Sequence, residues 1–140
     1  MYEQYPVVLA TAAFITDVEK KHILVVKKSD KEKIDAGLWT VPGGKVHPPE
    51  PIVTSLKREV KEEVGLEVET YTWIGEDVFM NNERYFHAQH FQCTVAAASP
   101  VILEPNLTSY RWISSDKLSD LEFPSNIKRR IEQILKNDKP

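Results

Sequence analysis

The chain has 140 residues, of which 41% are hydrophobic and 28% charged, with one cysteine and a formal net charge of −3. This length suits one compact domain, residues 1–140, and the composition excludes a disordered chain, a collagen-like fibre and a disulfide scaffold. The slightly acidic balance disfavours nucleic acid as a partner, because phosphate backbones are recognised through clustered basic side chains. Small anionic substrates are compatible with this charge, provided that a metal ion screens the charge of the substrate.

The lone cysteine and the apolar segments bear on the compartment. Cys93 cannot form an internal disulfide and lies in an apolar run, which favours a buried thiol over a catalytic one. The first residues lack the basic leader and apolar core of a secretory signal, and the apolar run at residues 7–15 is too short to span a bilayer. We therefore expect a cytoplasmic protein without a membrane partner.

Strand patterns dominate the first third of the chain. Apolar runs at residues 7–15 and 22–26, joined by a short charged segment, predict a β-hairpin. After a polar loop at residues 30–37, a short strand is predicted at residues 38–41. The Pro-Gly-Gly sequence at residues 42–44 is expected to end regular structure there.

Helical spacing begins in the middle of the chain. Aliphatic residues recur every three or four positions through residues 51–64, and Gly65 follows where a glycine commonly ends a helix. Further strands and a closing helix are predicted at residues 68–74, 85–97, 110–113 and 125–136. Strands mixed with two helices predict an α/β (α+β) fold built in packed layers.

Three acidic residues of the first predicted helix share one side. Glu59, Glu62 and Glu63 are spaced i, i+3 and i+4, so they project within an arc of roughly 100° beside the apolar stripe. Such a group is either a solvated helix face or a set of oxygen ligands for a hard divalent cation such as Mg²⁺. The spacing alone leaves both interpretations open.

The surrounding residues add a longer pattern. From position 44 to position 66 the chain follows G-x5-E-x7-R-E-U-x-E-E-x-G-U, where U is aliphatic, at every specified position. The fixed positions are Gly44, Glu50, Arg58, Glu59, Val60, Glu62, Glu63, Gly65 and Leu66. This pattern resembles the signature of the Nudix hydrolase family, and the chain is similar to its MutT-like members.

The resemblance implies a Nudix fold, in which a mixed β-sheet is sandwiched between α-helices, and a small-molecule nucleotide as substrate. It implies Mg²⁺- or Mn²⁺-dependent hydrolysis of a phosphoanhydride, and the small size favours conversion of a (d)NTP to (d)NMP and pyrophosphate. The alternative is a hydrolase of ADP-ribose, an NDP-sugar or a dinucleoside polyphosphate. A non-catalytic nucleotide-sensing module is a remote alternative, since such modules usually lose the acidic residues retained here. The oligomeric state stays open between monomer and homodimer.

By the same resemblance, the metal ligands and catalytic acids are Glu59, Glu62 and Glu63. The backbone carbonyl of Gly43, or else that of Gly44, would add another oxygen ligand. This set agrees with the argument above that the three glutamates share one side of the helix. Metal bound there would bridge phosphate oxygens and lower the pKa of a bound water.

Other residues of the pattern are expected to support this site. Arg58 would pair with carboxylates and orient the helix, an alternative being direct contact with phosphate. Glu50 would support the site or simply favour the positive end of the helix. Gly44 and Gly65 are expected to have structural roles.

Three residues outside the pattern are weaker candidates. Glu104 is a candidate metal ligand or general base, with a solvated loop acid as the alternative, and Glu62 or Glu63 could serve as the base instead. Lys28 ends the second predicted strand, where MutT-like proteins often carry a basic residue near the substrate. Asn126 resembles an asparagine that reads a purine edge in MutT-like proteins, although it could merely cap the last helix.

Overall fold

The computed structural model describes residues 5–96 and 100–136. Its elements, in chain order, are β1 (Val7–Ile15), β2 (Ile23–Lys28), β3 (Trp39–Thr40), β4 (Gly43–Lys45), α1 (Ile52–Val64), β5 (Val68–Asn81), β6 (Arg84–Val95), β7 (Leu107–Ile113), a 3-10 helix (Ser115–Asp120) and α2 (Ser125–Lys136).

The strands form two sheets between the two helices. One has the order β4-β1-β6-β5, in which β1 and β6 are parallel and the other pairs antiparallel. The second has the order β3-β2-β7 and is antiparallel. The mixed α+β class is thus confirmed, with the strands divided between two sheets where a single mixed sheet was expected.

The predicted hairpin of the first two strands was wrong. β1 and β2 meet only at the bridge between Thr16 and Ile23, and then enter different sheets. Successive β1 residues alternate between two cores, with Ala13 and Ile15 on the α1 side and Phe14 on the α2 side. The continuous apolar runs therefore reflect burial on both faces of the strands, and they carry no information on which strands pair.

Both predicted helices are present and each covers one side of the sheets. In α1, Leu56, Val60 and Val64 are fully buried in the core that includes Ala13 and Ile15. Each such burial contributes roughly 1.5–3 kcal/mol to stability. The apolar stripe of α2 lies in the opposite core. Packing of this apolar stripe against the sheet fixes the orientation of α1, and with it the direction of its polar face.

The helix end was predicted correctly. Gly65 has a left-handed φ of 72°, and its N–H donates to the carbonyl of Lys61 at 3.0 Å. Glycine takes this conformation without the steric cost that a Cβ would bring. The Pro-Gly-Gly prediction was wrong, because Gly43–Lys45 forms β4 and pairs with β1.

The remaining strands are present and differ from prediction in length. β5 and β7 are longer than the predicted strands at residues 68–74 and 110–113. β6 corresponds to the prediction at residues 85–97, whose last residue, Ala97, lies outside the described residues. Cys93 of β6 is fully buried, which confirms the prediction of a buried thiol. Burial raises the pKa of this thiol to about 12. Within the described part of the chain, no helix has the length and apolar character needed to cross a membrane.

Candidate active site

Arg58 of α1 is the centre of an ion-pair network. Its Nε and Nη2 donate to the two carboxylate oxygens of Glu50, at 2.7 and 2.9 Å. Its Nη1 donates to Glu59 at 2.9 Å and to Glu62 at 3.0 Å. Nη2 also reaches the backbone carbonyl of Lys45, at 3.2 Å. One guanidinium therefore connects the helix face to the loop before the helix and to β4.

The charges in this network adjust one another. Hydrogen bonds from Arg58, assisted by the N–H of His47, lower the pKa of Glu50 to about 2. The same contact with Glu50 raises the pKa of Arg58, so both groups stay ionised. Arg58 thus neutralises part of the acidic cluster and holds Glu59 and Glu62 on its own side of the helix.

Glu63 is in a different environment. Its Oε1 accepts a hydrogen bond from the N–H of Gly43 at 3.3 Å, and its carboxyl contacts that of Glu59. Burial first, and then the hydrogen bond and charge of Glu59, raise the pKa of Glu63 to about 9. Two carboxyls therefore meet in the C-terminal half of α1, and Glu63 keeps its proton at neutral pH.

The two glycines of β4 are required by close approach. A Cβ on Gly44 would lie 2.6 Å from Oε2 of Glu59, and a Cβ on Gly43 would lie 2.2 Å from the backbone oxygen of Thr11. Real Cβ atoms do not approach other atoms this closely. Gly44 thus leaves room for the Glu59 carboxylate, and Gly43 allows β4 to pack against β1.

A cavity of about 250 Å³ opens beside Glu63. The predicted candidates in its lining are Lys28, Gly43, Glu63 and Glu104. The N–H of Glu104 donates to the carbonyl of Glu63 at 3.0 Å, which ties its loop to α1. Burial, and then the charge of Glu59, raise the pKa of Glu104. The structure thus brings residues from β2, β4, α1 and a distant loop to one cavity.

Asn126 lies outside that cavity. Its amide contacts Asp77 of β5, and both residues line a second cavity of about 330 Å³. Asp77 was not predicted from the sequence, and neither were Glu32 and Thr40, which line the first cavity. No motif marks these positions, since they reach the cavities only through strand pairing and loop placement.

The acidic cluster, which consists of Glu59, Glu62 and Glu63, contains oxygen donors, but these donors do not converge on one metal position. Among residues 5–96 and 100–136, no three acidic, imidazole or thiol groups are arranged as a metal-binding group. The reason is that Arg58 holds Glu59 and Glu62, while Glu63 is turned to Gly43. The donor chemistry nevertheless fits a hard divalent cation, because a cation could replace the proton of Glu63 and bind the oxygens of both facing carboxyls.

Comparison with known proteins decides the family. The model of the NUDIX domain matches residues 6–134. The chain belongs to the Nudix family. The pattern at residues 44–66 is therefore the Nudix box of this member, and the protein is a Nudix hydrolase of the MutT type. Hydrolases of this family generally use divalent metal ions.

Named relatives and solved structures agree with this membership. The Nudix chain is 31% identical over 119 residues to 8-oxo-dGTP diphosphatase of Buchnera aphidicola subsp. Schizaphis graminum, covering 84% of this chain and 87% of that protein. It is 29% identical over 125 residues to nucleoside triphosphatase NudI of Escherichia coli K12, covering 80% and 88%. The MutT protein of Methanosarcina mazei Go1 superposes with a TM-score of 0.79 at 26% identity, covering 98% and 99%.

Proposed function

We propose that this Nudix hydrolase is a nucleotide pyrophosphohydrolase that converts a (d)NTP to (d)NMP and pyrophosphate. The observation that carries the proposal is the contact of Glu59 with Glu63 beside a cavity that also contains Lys28 and Glu104. The relatives named as a diphosphatase and a triphosphatase of nucleotides support this substrate class.

Mg²⁺, or alternatively Mn²⁺, is the proposed cofactor. Glu59, Glu62, Glu63 and the backbone carbonyl of Gly43 would hold it, and all are oxygen donors of the kind that these cations prefer. When bound, the cation would neutralise charge on the phosphates and lower the pKa of a bound water. Arg58 would keep Glu59 and Glu62 oriented from behind, because its own donors already point at carboxylates.

The chain's own residues have distinct roles in this proposal. Lys28 supplies a positive charge at the cavity and would bind a phosphate or sugar oxygen of the substrate. Water adds to one phosphorus of the α–β anhydride, and the bridging oxygen leaves with the other phosphorus. Glu104 is the proposed acceptor of the proton of that water, since its raised pKa makes it a stronger base than an ordinary glutamate. Glu62 and Glu63 are the alternative bases.

The nucleoside end would lie in the second cavity. Asn126 lines it together with Phe79, whose ring is partly exposed and stacks on Phe86 at 5.2 Å between centroids. An amide can form hydrogen bonds with the edge of a nucleobase, and an aromatic ring can stack on its face. We infer that Asn126 contacts the base.

A substrate panel tests the proposal. Purified protein is incubated with dNTPs, ADP-ribose, an NDP-sugar and a dinucleoside polyphosphate, with Mg²⁺ and with excess chelator, and the products are identified. We expect NMP and pyrophosphate from dNTPs, and no product with chelator. NMP and a sugar phosphate from ADP-ribose or the NDP-sugar, or two nucleotides from the dinucleoside polyphosphate, would favour the alternative hydrolase. Nucleotide binding without turnover would favour a sensing module.

The remaining proposals concern partners. We infer one domain that works in the cytoplasm on small nucleotides, without nucleic acid, as a monomer or homodimer. The net charge of −3 supports the exclusion of nucleic acid, because the overall electrostatic attraction to phosphate backbones is unfavourable. Light scattering after gel filtration measures the oligomeric state, and a shift assay with single- and double-stranded oligonucleotides tests the exclusion.

A further inference from the structure

Asp77 and Asn126 are 49 positions apart in the chain and meet beside the second cavity. Nδ2 of Asn126, near the start of α2, donates a hydrogen bond to Oδ2 of Asp77 in β5. Among the described residues, none donates a hydrogen bond to Oδ1 of Asn126. The amide therefore has one end fixed to protein and one acceptor left for a ligand.

The chemistry of the pair decides which way round the amide lies. A carboxylate can only accept hydrogen bonds, whereas an asparagine amide can present either its NH₂ group or its carbonyl oxygen. Facing Asp77, the amide must present NH₂. Reversing it would bring two oxygens together, with loss of a charge-assisted hydrogen bond. Asp77 thus keeps Oδ1 as the end of Asn126 that a ligand can meet.

The second cavity lies next to the catalytic one. The loop at residues 30–37 contributes Glu32 to the catalytic cavity and Ile34 to the second. The start of α2 does the same, with Ile127 in the first and Asn126 in the second. A substrate whose phosphates lie beside Glu63 can therefore place its base beside Asn126.

We propose that Asp77 is a positioning residue that sets the base preference of the enzyme by fixing the amide of Asn126. This inference rests on the proposed function, in which Asn126 contacts the base. An acceptor fixed at that position pairs with an exocyclic amino group and opposes a carbonyl oxygen. The enzyme therefore prefers the amino-bearing member of each matched pair of bases: cytosine over uracil, and guanine over hypoxanthine.

The test compares kcat/KM for dCTP against dUTP and for dGTP against dITP. The members of each pair carry identical phosphates. Guanine and hypoxanthine differ only in the 2-amino group, whereas cytosine and uracil differ in the group at C4 and in the proton at N3, so the purine pair is the cleaner comparison. We expect wild-type protein to prefer the amino-bearing member of at least one pair by about tenfold or more. In Asp77→Asn the partner can donate or accept, so the Asn126 amide can turn over. We expect the preference to fall to about threefold or less, mainly through KM.

Two further variants keep the test decisive. Glu76→Gln changes the neighbouring acid of β5, which contacts Gln89 and His87 and does not line the second cavity, and should keep the wild-type preference. Asp77→Ala removes the orienting acceptor without supplying another group, and should lower the preference as Asp77→Asn does. Thermal melting of each variant checks that it is folded.

The outcomes separate the two levels of inference. A wild-type enzyme without preference in either pair, or an Asp77→Asn enzyme with the full wild-type preference, would overturn the role of Asp77 while leaving the proposed function intact. Failure of wild-type protein to hydrolyse any dNTP with Mg²⁺ would instead overturn the proposed function.

Discussion

Arg58 holds Glu50 by both carboxylate oxygens, through Nε at 2.7 Å and Nη2 at 2.9 Å. Glu50 precedes α1 and Arg58 lies in its second turn, so this fork fixes the chain before the helix relative to the helix face. The third arm of the guanidinium, Nη1, then has a defined position between Glu59 and Glu62. A planar group with donors on fixed axes is needed for this arrangement.

Replacing Arg58 by lysine keeps the charge and removes the fork. One ammonium cannot bind both oxygens of Glu50 while also contacting Glu59 and Glu62, so the acidic side chains lose their fixed orientation. We expect Arg58→Lys to lower kcat by about 10–100-fold, the usual effect of losing a group that orients metal ligands. Steady-state kinetics with saturating Mg²⁺ measures the change.

Arg111→Lys is the matched control for that experiment. Arg111 lies over the ring of Trp39, at 5.4 Å from its centroid, and has no contact with the acidic cluster. Its replacement should leave kcat within about twofold of wild type, as surface changes usually do. Equal losses in the two variants would contradict the orienting role of Arg58.

The acidic residues of α1 should differ sharply from acids outside the cluster. We expect Glu62→Gln and Glu63→Gln each to lower kcat/KM by at least about 100-fold, because each removes a proposed ligand of the cation. Glu67→Gln is the control, since Glu67 is exposed and its carboxylate, among the described residues, pairs with Lys61 alone, at 3.1 Å. Calorimetric titration with Mg²⁺ should show weaker binding in the first two variants only. Unchanged turnover in both would refute the metal site.

Replacing each of the two glycines of β4 by alanine should have a different effect: one variant should lose activity and the other should lose stability. In Gly44→Ala the new Cβ meets the end of the Glu59 side chain, which can move, so the fold should survive and activity should fall by about tenfold or more. In Gly43→Ala the new Cβ meets backbone of β1, which cannot move alone, so stability should fall by roughly 1–3 kcal/mol. Urea unfolding and kinetics on both variants separate the effects, and a Gly44→Ala enzyme with full activity would contradict the packing argument.

The sequence predicts the centre of this site well and its surroundings poorly. Glu59, Glu62, Glu63 and Arg58 lie on one helix, so their spacing alone determines that they are neighbours. Lys28 and Glu104 reach the same cavity from other elements, and only the resemblance to a family suggested them. Asp77 carried no signal, because its meeting with Asn126 depends on the pairing of β5 with β6 and on the docking of α2.

Two errors in the fold have a common cause. The apolar runs of β1 and β2 were correctly predicted as strands, yet their pairing was wrong because double-sided burial removes the polar alternation that would mark a hairpin. The Pro-Gly-Gly segment was predicted to end regular structure, yet Gly43 and Gly44 form a strand because they pair with β1, where neighbouring groups leave no space for a Cβ. Local sequence patterns indicate which segments form strands, whereas the pairing of those strands depends on contacts throughout the fold.

His90 gives the last prediction, which concerns stability against pH. Its side chain is 2% exposed, its Nδ1 accepts a hydrogen bond from Nε of Arg130 at 3.1 Å, and its Nε2 has no partner among the described residues. Burial first, and then the charge of Arg130, lower the pKa of His90 to about 4 from 6.5. The folded protein therefore holds this imidazole neutral where the unfolded chain would protonate it.

The sign follows from proton uptake. Well above pH 6.5, His90 is neutral in both the folded and the unfolded protein, so it does not change the free energy of unfolding. As the pH falls from 6.5 towards 4, His90 binds a proton in the unfolded chain but stays neutral in the folded protein. The free energy of unfolding therefore decreases. From pH 7.5 to pH 5 the loss should be about 2 kcal/mol. Glu63 acts in the opposite direction, since its raised pKa favours the folded state at low pH, so only a comparison of variants isolates His90.

The measurement is urea unfolding at pH 7.5 and pH 5 for wild type, His90→Phe and His47→Gln. Phenylalanine keeps a ring beside Phe14, whose centroid lies 4.9 Å from that of His90, and it cannot bind a proton. The pH-dependent loss in His90→Phe should be smaller than in wild type by about 2 kcal/mol, whatever its stability at pH 7.5. His47 is exposed in a loop, so His47→Gln should follow wild type. If His90→Phe also follows wild type, the imidazole is protonated as easily inside the fold as in the unfolded chain, and Arg130 does not face a neutral Nδ1.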